Sequence, residues 1–294
     1  MKKVKKILIL GSEGMLGSDI RFVFKKNKPI CWNRNCLDIT EEEETKKKIK
    51  KLNPKIVINA AAYTNVEKAE KEFVLAKKIN SRAVKTLSEV CAEIDAVFVH
   101  YSTDYIFAGK NKNGYQEKDK TNKPINKYGL SKLLGEKEIF KTKTKCPNFK
   151  FYLIRTSWLF GSKSQPKKHK NFVQTILKLT KDKKEIKVID DQFGKPTYTF
   201  DLAQATKKLL NDKKTFGLPL RQAGIYHLPN EGITSWYKFA KEIVRITGTN
   251  TKVLPCRTRD YRTLAKSPKY SILINTKVSK LRSWKLALRD YLKK

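Results

Sequence analysis

The chain has 294 residues, 39% of them hydrophobic, and a formal net charge of +37. Its length suits one large α/β unit with a lobe or two ordinary domains, and no apolar run approaches the roughly 20 residues a bilayer helix needs, so a soluble protein is expected. The positive charge raises nucleic acid as a partner, but the lysines are scattered in short runs (Lys2-Lys3, Lys46 to Lys48, Lys167-Lys168, Lys183-Lys184) without basic-aromatic interleaving or finger spacing. The reading is a solvated surface that draws in anionic small molecules.

Met1 to Leu10 is basic and then apolar, but Ile7-Leu8-Ile9-Leu10 is too short for a signal segment and runs into glycines, so it reads as a buried first strand from Lys6. A helix from Met15 follows, then a strand near Pro29 to Trp32, a Glu/Lys-rich helix with Thr40 as its N-cap, and a strand at Ile56 to Asn59. Next come a helix through Phe73 to Ala92, a strand at Ala96 to Tyr101, a helix carrying Tyr128, and a strand at Phe151 to Arg155. This alternation predicts an α/β fold, a Rossmann-like doubly wound parallel sheet. After Arg155 the pattern loosens at Ser162 to Lys170, Asp190 to Pro196 and Thr215 to Gly224, which predicts a smaller α/β lobe. The five cysteines (Cys31, Cys36, Cys91, Cys146, Cys256) lack CxxC or zinc spacing and read as reduced thiols of a cytoplasmic chain.

Gly11-Ser12-Glu13-Gly14-Met15-Leu16-Gly17 sits between the first strand and the first helix, spaced GxxGxxG. Gly11 permits a tight turn, Gly14 the approach of backbone to phosphate, and Gly17 the packing of helix on strand, while the helix N-terminus offers N–H donors. Such glycines can be structural only, but their place at the head of a βαβ series favours dinucleotide binding. An acid ending the second strand would take the adenosine ribose diol and exclude a 2′-phosphate. Here that region reads Trp32-Asn33-Arg34, with Asp38 beyond, and Arg34 tips the expectation to NADPH, with NADH the alternative.

Tyr128 and Lys132 stand at i and i+4, on one helix face. A cation beside a phenol favours the phenolate, so Lys132 is expected to lower the Tyr128 pKa and prepare it as the proton donor of a carbonyl reduction. Many solvated helices carry such a pair, so its weight comes from its neighbours. His100 and His227 fall in strand-like runs and read as packing residues, and His169 in a basic loop. None has a carboxylate or Cys at ligand spacing, and no catalytic metal is expected.

The neighbours are Val57-Ile58-Asn59-Ala60-Ala61-Ala62-Tyr63-Thr64, Tyr101-Ser102-Thr103-Asp104-Tyr105-Ile106-Phe107, Gly135-Glu136, Arg155-Thr156-Ser157-Trp158, Asp191 to Thr197, and Gly224 to Leu228. In this order, almost end to end, the chain resembles the extended short-chain dehydrogenase/reductases, and within them the dTDP-4-dehydrorhamnose reductase family. The resemblance implies NAD(P)H-dependent reduction of the C4 ketone of a nucleoside-diphosphate 6-deoxy-4-keto sugar, with dTDP-4-dehydro-L-rhamnose the expected substrate. It implies that Thr103 binds the C4 oxygen, Asp104 contacts the sugar, Tyr128 gives the proton, and Lys132 holds the nicotinamide ribose. Gly14, Met15 and Leu16 would line the pyrophosphate, Asp38 and Ile39 the adenine side, Ala62, Tyr63 and Thr64 the cofactor's middle, and Trp158 the nucleotide sugar. Asn80 matches a residue that supports a proton relay elsewhere in the superfamily; a solvent-facing helix position is the alternative.

The implied division is residues 1–157 for the cofactor-binding domain, with returning segments within about 184–230, and 158–294 mostly for the substrate lobe. The implied partner is a nucleotide sugar, with no nucleic acid and no membrane; a homodimer and a Mg²⁺ requirement stay open. An epimerase resembling GDP-fucose synthase would need extra Cys and His groups, and Asp104 stands where that Cys would be. The regulatory β subunit of methionine adenosyltransferase shares many of these motifs, so a non-catalytic NADP-binding subunit is the second reading. One departure stands out: the family's Ala-Pro-Arg-Pro is Ala265-Lys266-Ser267-Pro268 here, with Lys266, Lys269 or Arg262 to replace the missing Arg.

Overall fold

The structure is a computed structural model that describes residues 6–121, 123–161, 171–211 and 223–293. Ser162 to Lys170 with His169, most of Thr215 to Gly224, and Lys2-Lys3 lie outside the described residues. The first half carries β1 (Ile7–Leu10), α1 (Met15–Val23), β2 (Ile30–Trp32), α2 (Glu42–Leu52), β3 (Ile56–Asn59), α3 (Val66–Ala69), α4 (Phe73–Lys77) and α5 (Ala83–Glu93). Then follow β4 (Val97–Thr103), α6 (Lys127–Lys145) and β5 (Phe151–Thr156). Beyond them run β6 (Leu159–Phe160), α7 (Phe172–Asp182), β7 (Glu185–Ile189), β8 (Phe193–Gly194), β9 (Thr197–Tyr198), α8 (Thr199–Asn211) and β10 (Gly224–His227). The C-terminal part holds β11 (Thr234–Ser235), α9 (Trp236–Thr247), β12 (Lys252–Cys256), β13 (Tyr270–Ser271) and α10 (Trp284–Lys293).

Six parallel strands form the central sheet in the order β10-β5-β4-β3-β1-β2. Side chains alternate across a strand, and here both faces are apolar, as a sheet covered by helices on either side requires. Leu8, Leu10, Val57, Phe98, Phe151 and Leu153 enter the core shared with Ile49 of α2, Leu87 of α5 and Ile139 of α6. Ile7, Ile9, Ile56, Ile58, Val99, Tyr152 and Ile154 enter the opposite core, with Ile20 of α1 and Leu202 of α8. Each such side chain contributes about 1.5–3 kcal/mol by leaving water. The predicted doubly wound sheet is thus present, its sixth strand drawn from far along the chain.

The lobe has its own core of Phe160, Val173, Ile176, Ile186, Val188, Phe239, Ile243, Trp284 and Leu288. Its small sheets are β11-β8-β13, β12-β7 and β6-β9. Two local expectations are corrected. The N-cap of α2 is Glu41, not Thr40, whose hydroxyl donates to Asp38 Oδ1 at 2.8 Å. The helix from Phe73 is interrupted by a π turn at Lys78–Arg82, and the turn swings Asn80 inward, so that it is 1% exposed and does not face solvent. Such single wide turns recur where a helix serves a site.

Candidate active site

The glycine turn after β1, Asn59 to Thr64 after β3, Thr103-Asp104 after β4 and Thr156 to Trp158 after β5 all lie at the carboxyl edge of the sheet. Ligands of open α/β sheets bind along this edge, where the strand order reverses. Gly11 takes φ +69°, and a side chain there would meet Ala61 N at 2.6 Å, so the turn is pressed against the end of β3. A methyl on Gly17 would drive into the Gly11 carbonyl oxygen. Gly14 caps α1, which has neither a side-chain cap nor an acid in its first turn. The backbone therefore makes a cradle at an uncapped helix N-terminus, the environment a dinucleotide's diphosphate needs, and these residues fit that group.

Around the cradle, Leu16 turns its side chain into the core beside Met15. Arg34 and Asp38 pair with each other at 3.0 Å, and the Arg34 side chain is 80% exposed, within reach of an anionic ligand. Ile39 is buried in the core, so it can serve a ligand only through its backbone. Tyr63 is clamped by Asn80, which accepts from Tyr63 N and donates to Tyr63 O, each at 2.9 Å, and also donates to Ser131 Oγ at 2.9 Å. Ala62 and Thr64 flank it, exposed.

Helix α6 begins because Asn126 accepts from Gly129 N at 2.8 Å, and the same amide donates to Lys266 O at 2.8 Å. That start aims Tyr128 and Lys132 at the sheet. The Tyr128 ring meets Tyr105 edge-on, with centroids 5.8 Å apart, and its phenol is engaged by the Thr103 side chain. Thr103 Oγ1 donates to Asp104 Oδ1 at 2.8 Å. Asp104 Oδ2, Ser102 Oγ and Thr156 Oγ1 are buried without a hydrogen-bond partner.

The electrostatics differ from the sequence expectation. Burial pushes the Tyr128 phenol up to about 12, with Thr103 opposing and the Asp104 charge adding to the rise. Lys132 does not lower it. Burial lowers Lys132 itself, bringing it down to about 8 against the opposing pull of Glu136. Its Nζ donates to Tyr101 O at 2.6 Å and lies 3.2 Å from His100 Nε2. Burial also raises Asp104 to about 7, with the Ser271 and Thr103 hydroxyls offsetting part of the effect.

On the lobe side Trp158, at φ +46°, stacks on Trp236 with centroids 3.5 Å apart and donates from Nε1 to Ser271 Oγ at 3.0 Å. Gly194 lets it lie flat, since a side chain there would sit 2.7 Å from Trp158 Nε1. Ser267, in the expected arginine's place, hydrogen-bonds the Tyr105 side chain. Arg262, Lys266 and Lys269 are exposed, and Lys269 lies over the Tyr270 ring. Sequence reasoning gave no role to Tyr105, Trp236 or Ser271; Tyr105 and Ser271 stood within motifs of the family resemblance, but Trp236 joins the site only through the packing of the lobe. Among the described residues no cluster of three or more His, Cys, Asp or Glu could hold a metal, and no helix is long and apolar enough to cross a membrane.

Comparison with known proteins accords with this geometry. The family model described as RmlD substrate binding domain matches residues 5–294. The spore coat polysaccharide biosynthesis protein SpsK of Bacillus subtilis (strain 168) is 36% identical over 98% of this chain and 96% of its own length. A dTDP-4-dehydrorhamnose reductase of Burkholderia thailandensis is 34% identical over 92% of this chain and 90% of its own. The dTDP-4-dehydrorhamnose reductase of Bacillus anthracis str. Ames, solved in complex with NADP, superposes with a TM-score of 0.89 at 32% identity over 98% and 99% of the two chains. That of Clostridium acetobutylicum ATCC 824 gives 0.87 at 38% identity over 98% of each chain. A UDP-glucose 4-epimerase of Thermotoga maritima, at 17% identity and a TM-score of 0.80, shares the fold alone. With its glycine cradle, its Thr103-Tyr128-Lys132 cluster and a match along nearly its whole length, this chain belongs to the RmlD substrate-binding-domain family.

Proposed function

We propose that this chain is an NADPH-dependent oxidoreductase that reduces the C4 ketone of dTDP-4-dehydro-L-rhamnose to give dTDP-L-rhamnose. The observation that carries the reading is the meeting of Thr103, Asp104, Tyr128 and Lys132 at the carboxyl edge of the sheet, beside a glycine cradle shaped for a diphosphate. When bound, the reduced nicotinamide supplies the hydride. The chain's own part is to supply the proton and to stabilise the alkoxide. A phenol held at about 12 stays protonated at neutral pH, so Tyr128 is an acid ready to protonate the C4 oxygen as negative charge grows there. Thr103 adds a second hydroxyl to the same oxygen, and both bonds strengthen towards the transition state, which lowers the barrier.

In this reading Lys132 holds the nicotinamide ribose and Arg34 meets a 2′-phosphate, while Asp104 and Trp158 contact the sugar nucleotide. Residues 1–157 with α8 and β10 form the cofactor-binding unit in this reading, and most of the other later elements form the substrate lobe. Nucleotide cosubstrates and unpaired thiols suit a cytoplasmic enzyme. The test follows NADPH absorbance with dTDP-4-keto-6-deoxy sugar in the presence of a 3,5-epimerase, set against UDP and GDP analogues. Consumption is expected with the dTDP sugar. Tight NADPH binding without turnover of any keto sugar would overturn the reading in favour of a regulatory subunit.

A further inference from the structure

His100 is 1% exposed and lies directly under Lys132. Its protonation can be worked out from its neighbours. Ala61 N donates to Asn59 Oδ1 at 3.1 Å, which fixes the Asn59 amide, because a backbone N–H cannot accept. Asn59 Nδ2 therefore faces His100 Nδ1, at 3.1 Å. An amide nitrogen only donates, so Nδ1 carries the lone pair and the neutral ring carries its hydrogen on Nε2. That hydrogen points at Lys132 Nζ, 3.2 Å away. An ammonium there would set donor against donor, whereas an amine accepts.

We propose that His100 is a positioning residue for Lys132: fixed by Asn59 as the Nε2–H tautomer, it gives Lys132 a hydrogen-bond donor and so favours the amine over the ammonium. The function assigned to this effect rests on the reductase reading, but the tautomer does not. The groups around Lys132 are Tyr128 and Glu136 of its own helix, His100 of β4, Arg155 of β5, which holds Glu136 at 2.7 Å, and the uncharged Asn59 of β3 and Asn80 of the π turn. Glu136 and the Tyr101 carbonyl, which accepts from Nζ at 2.6 Å, pull Lys132 towards the charged form, and burial outweighs them. Burial and the Lys132 charge together keep His100 well below its ordinary value. Lys132 is then a cation whose charge turns over near neutral pH, and not a permanent one.

With three histidines in the chain, long-range proton–nitrogen NMR of the full-length protein reads the tautomer directly. His100 should show a bare Nδ1 and a protonated Nε2 at every pH at which the protein is folded. A protonated Nδ1 overturns the proposal, and this readout stands even if the chain reduces no sugar. In Asn59→Asp an acceptor faces Nδ1, the tautomer switches, and Nε2 accepts from the ammonium. The limb of the kcat profile that reports Lys132 should then move up by about one pH unit. A switched tautomer with an unmoved profile would overturn the tuning role. If Asn59→Asp does not fold, the wild-type tautomer still decides.

Discussion

Asp104 is held where its charge is disfavoured, and the consequence for stability has a definite sign. A carboxyl raised in the folded chain takes up protons on folding between its ordinary value of about 4 and its folded value. For Asp104 the folded value is about 7, so stability falls as pH rises through that interval and stays lowered above it. Asp104→Asn removes the penalty and should raise stability at about pH 8 by an amount on the order of 4 kcal/mol, read as a higher melting temperature, with no gain at about pH 4. Affinity for the sugar nucleotide should fall in the same variant, as at sites where function strains the fold. Equal melting temperatures for variant and wild type at the higher pH would refute the assignment. At this scale the i, i+4 spacing pointed to Tyr128 and Lys132 and the family resemblance to Thr103, and the structure brings the Thr103 side chain to the Tyr128 phenol. The sequence did not reveal that burial would raise Tyr128 and lower Lys132, since desolvation depends on the packed neighbours of β4 and not on the Tyr-Lys spacing.

Among the elements, the turn into α1 and the contact of α6 with β5 carry the sharpest demands. At Gly17 a methyl would collide with the Gly11 carbonyl, so Gly17→Ala must push α1 off β1. NADPH affinity, read by fluorescence titration, should drop at least about tenfold, which corresponds to about 1.4 kcal/mol. Unchanged affinity would remove the cradle from the cofactor's site. Under Lys132, Arg155 and Glu136 form a fully buried bidentate pair, and Arg155 Nη1 reaches to 3.4 Å from His227 Nε2. Burying two charges gains little over apolar packing, but leaving one unpaired is costly. Glu136→Gln should therefore destabilise by about 3–5 kcal/mol in denaturant unfolding, while Glu136→Leu combined with Arg155→Met should recover most of it. A double variant as unstable as the single one would contradict this. The strands were readable to within a residue or two from their apolar runs. The π turn at Lys78–Arg82 was not, because one extra residue in a helix leaves the surrounding pattern of apolar positions nearly intact and shows only in where Asn80 points.

For the molecule as a whole, a net charge of +37 is a repulsive load that the fold carries, and most of the ion pairs among the described residues are at the surface, where each contributes little. Added salt should screen that repulsion and raise the melting temperature, while weakening the pull on the anionic cofactor and raising the Kd for NADPH. Both measured in one sodium chloride series should slope in these opposite senses; a melting temperature that falls with salt would show that attraction dominates the surface. The architecture was legible from βαβ alternation, but the lobe's three-stranded sheet joins β8, β11 and β13, whose partners are far apart in the chain and too short to announce themselves. In the proposed reaction hydride reaches C4 of the sugar while Tyr128 delivers the proton. Deuteride-labelled NADPH tests it directly: the wild-type chain should place deuterium at C4 of the dTDP sugar, and Tyr128→Phe should bind the cofactor yet turn over about 10²–10⁴-fold more slowly. Deuterium at another carbon, or a Tyr128→Phe variant of undiminished rate, would contradict the account.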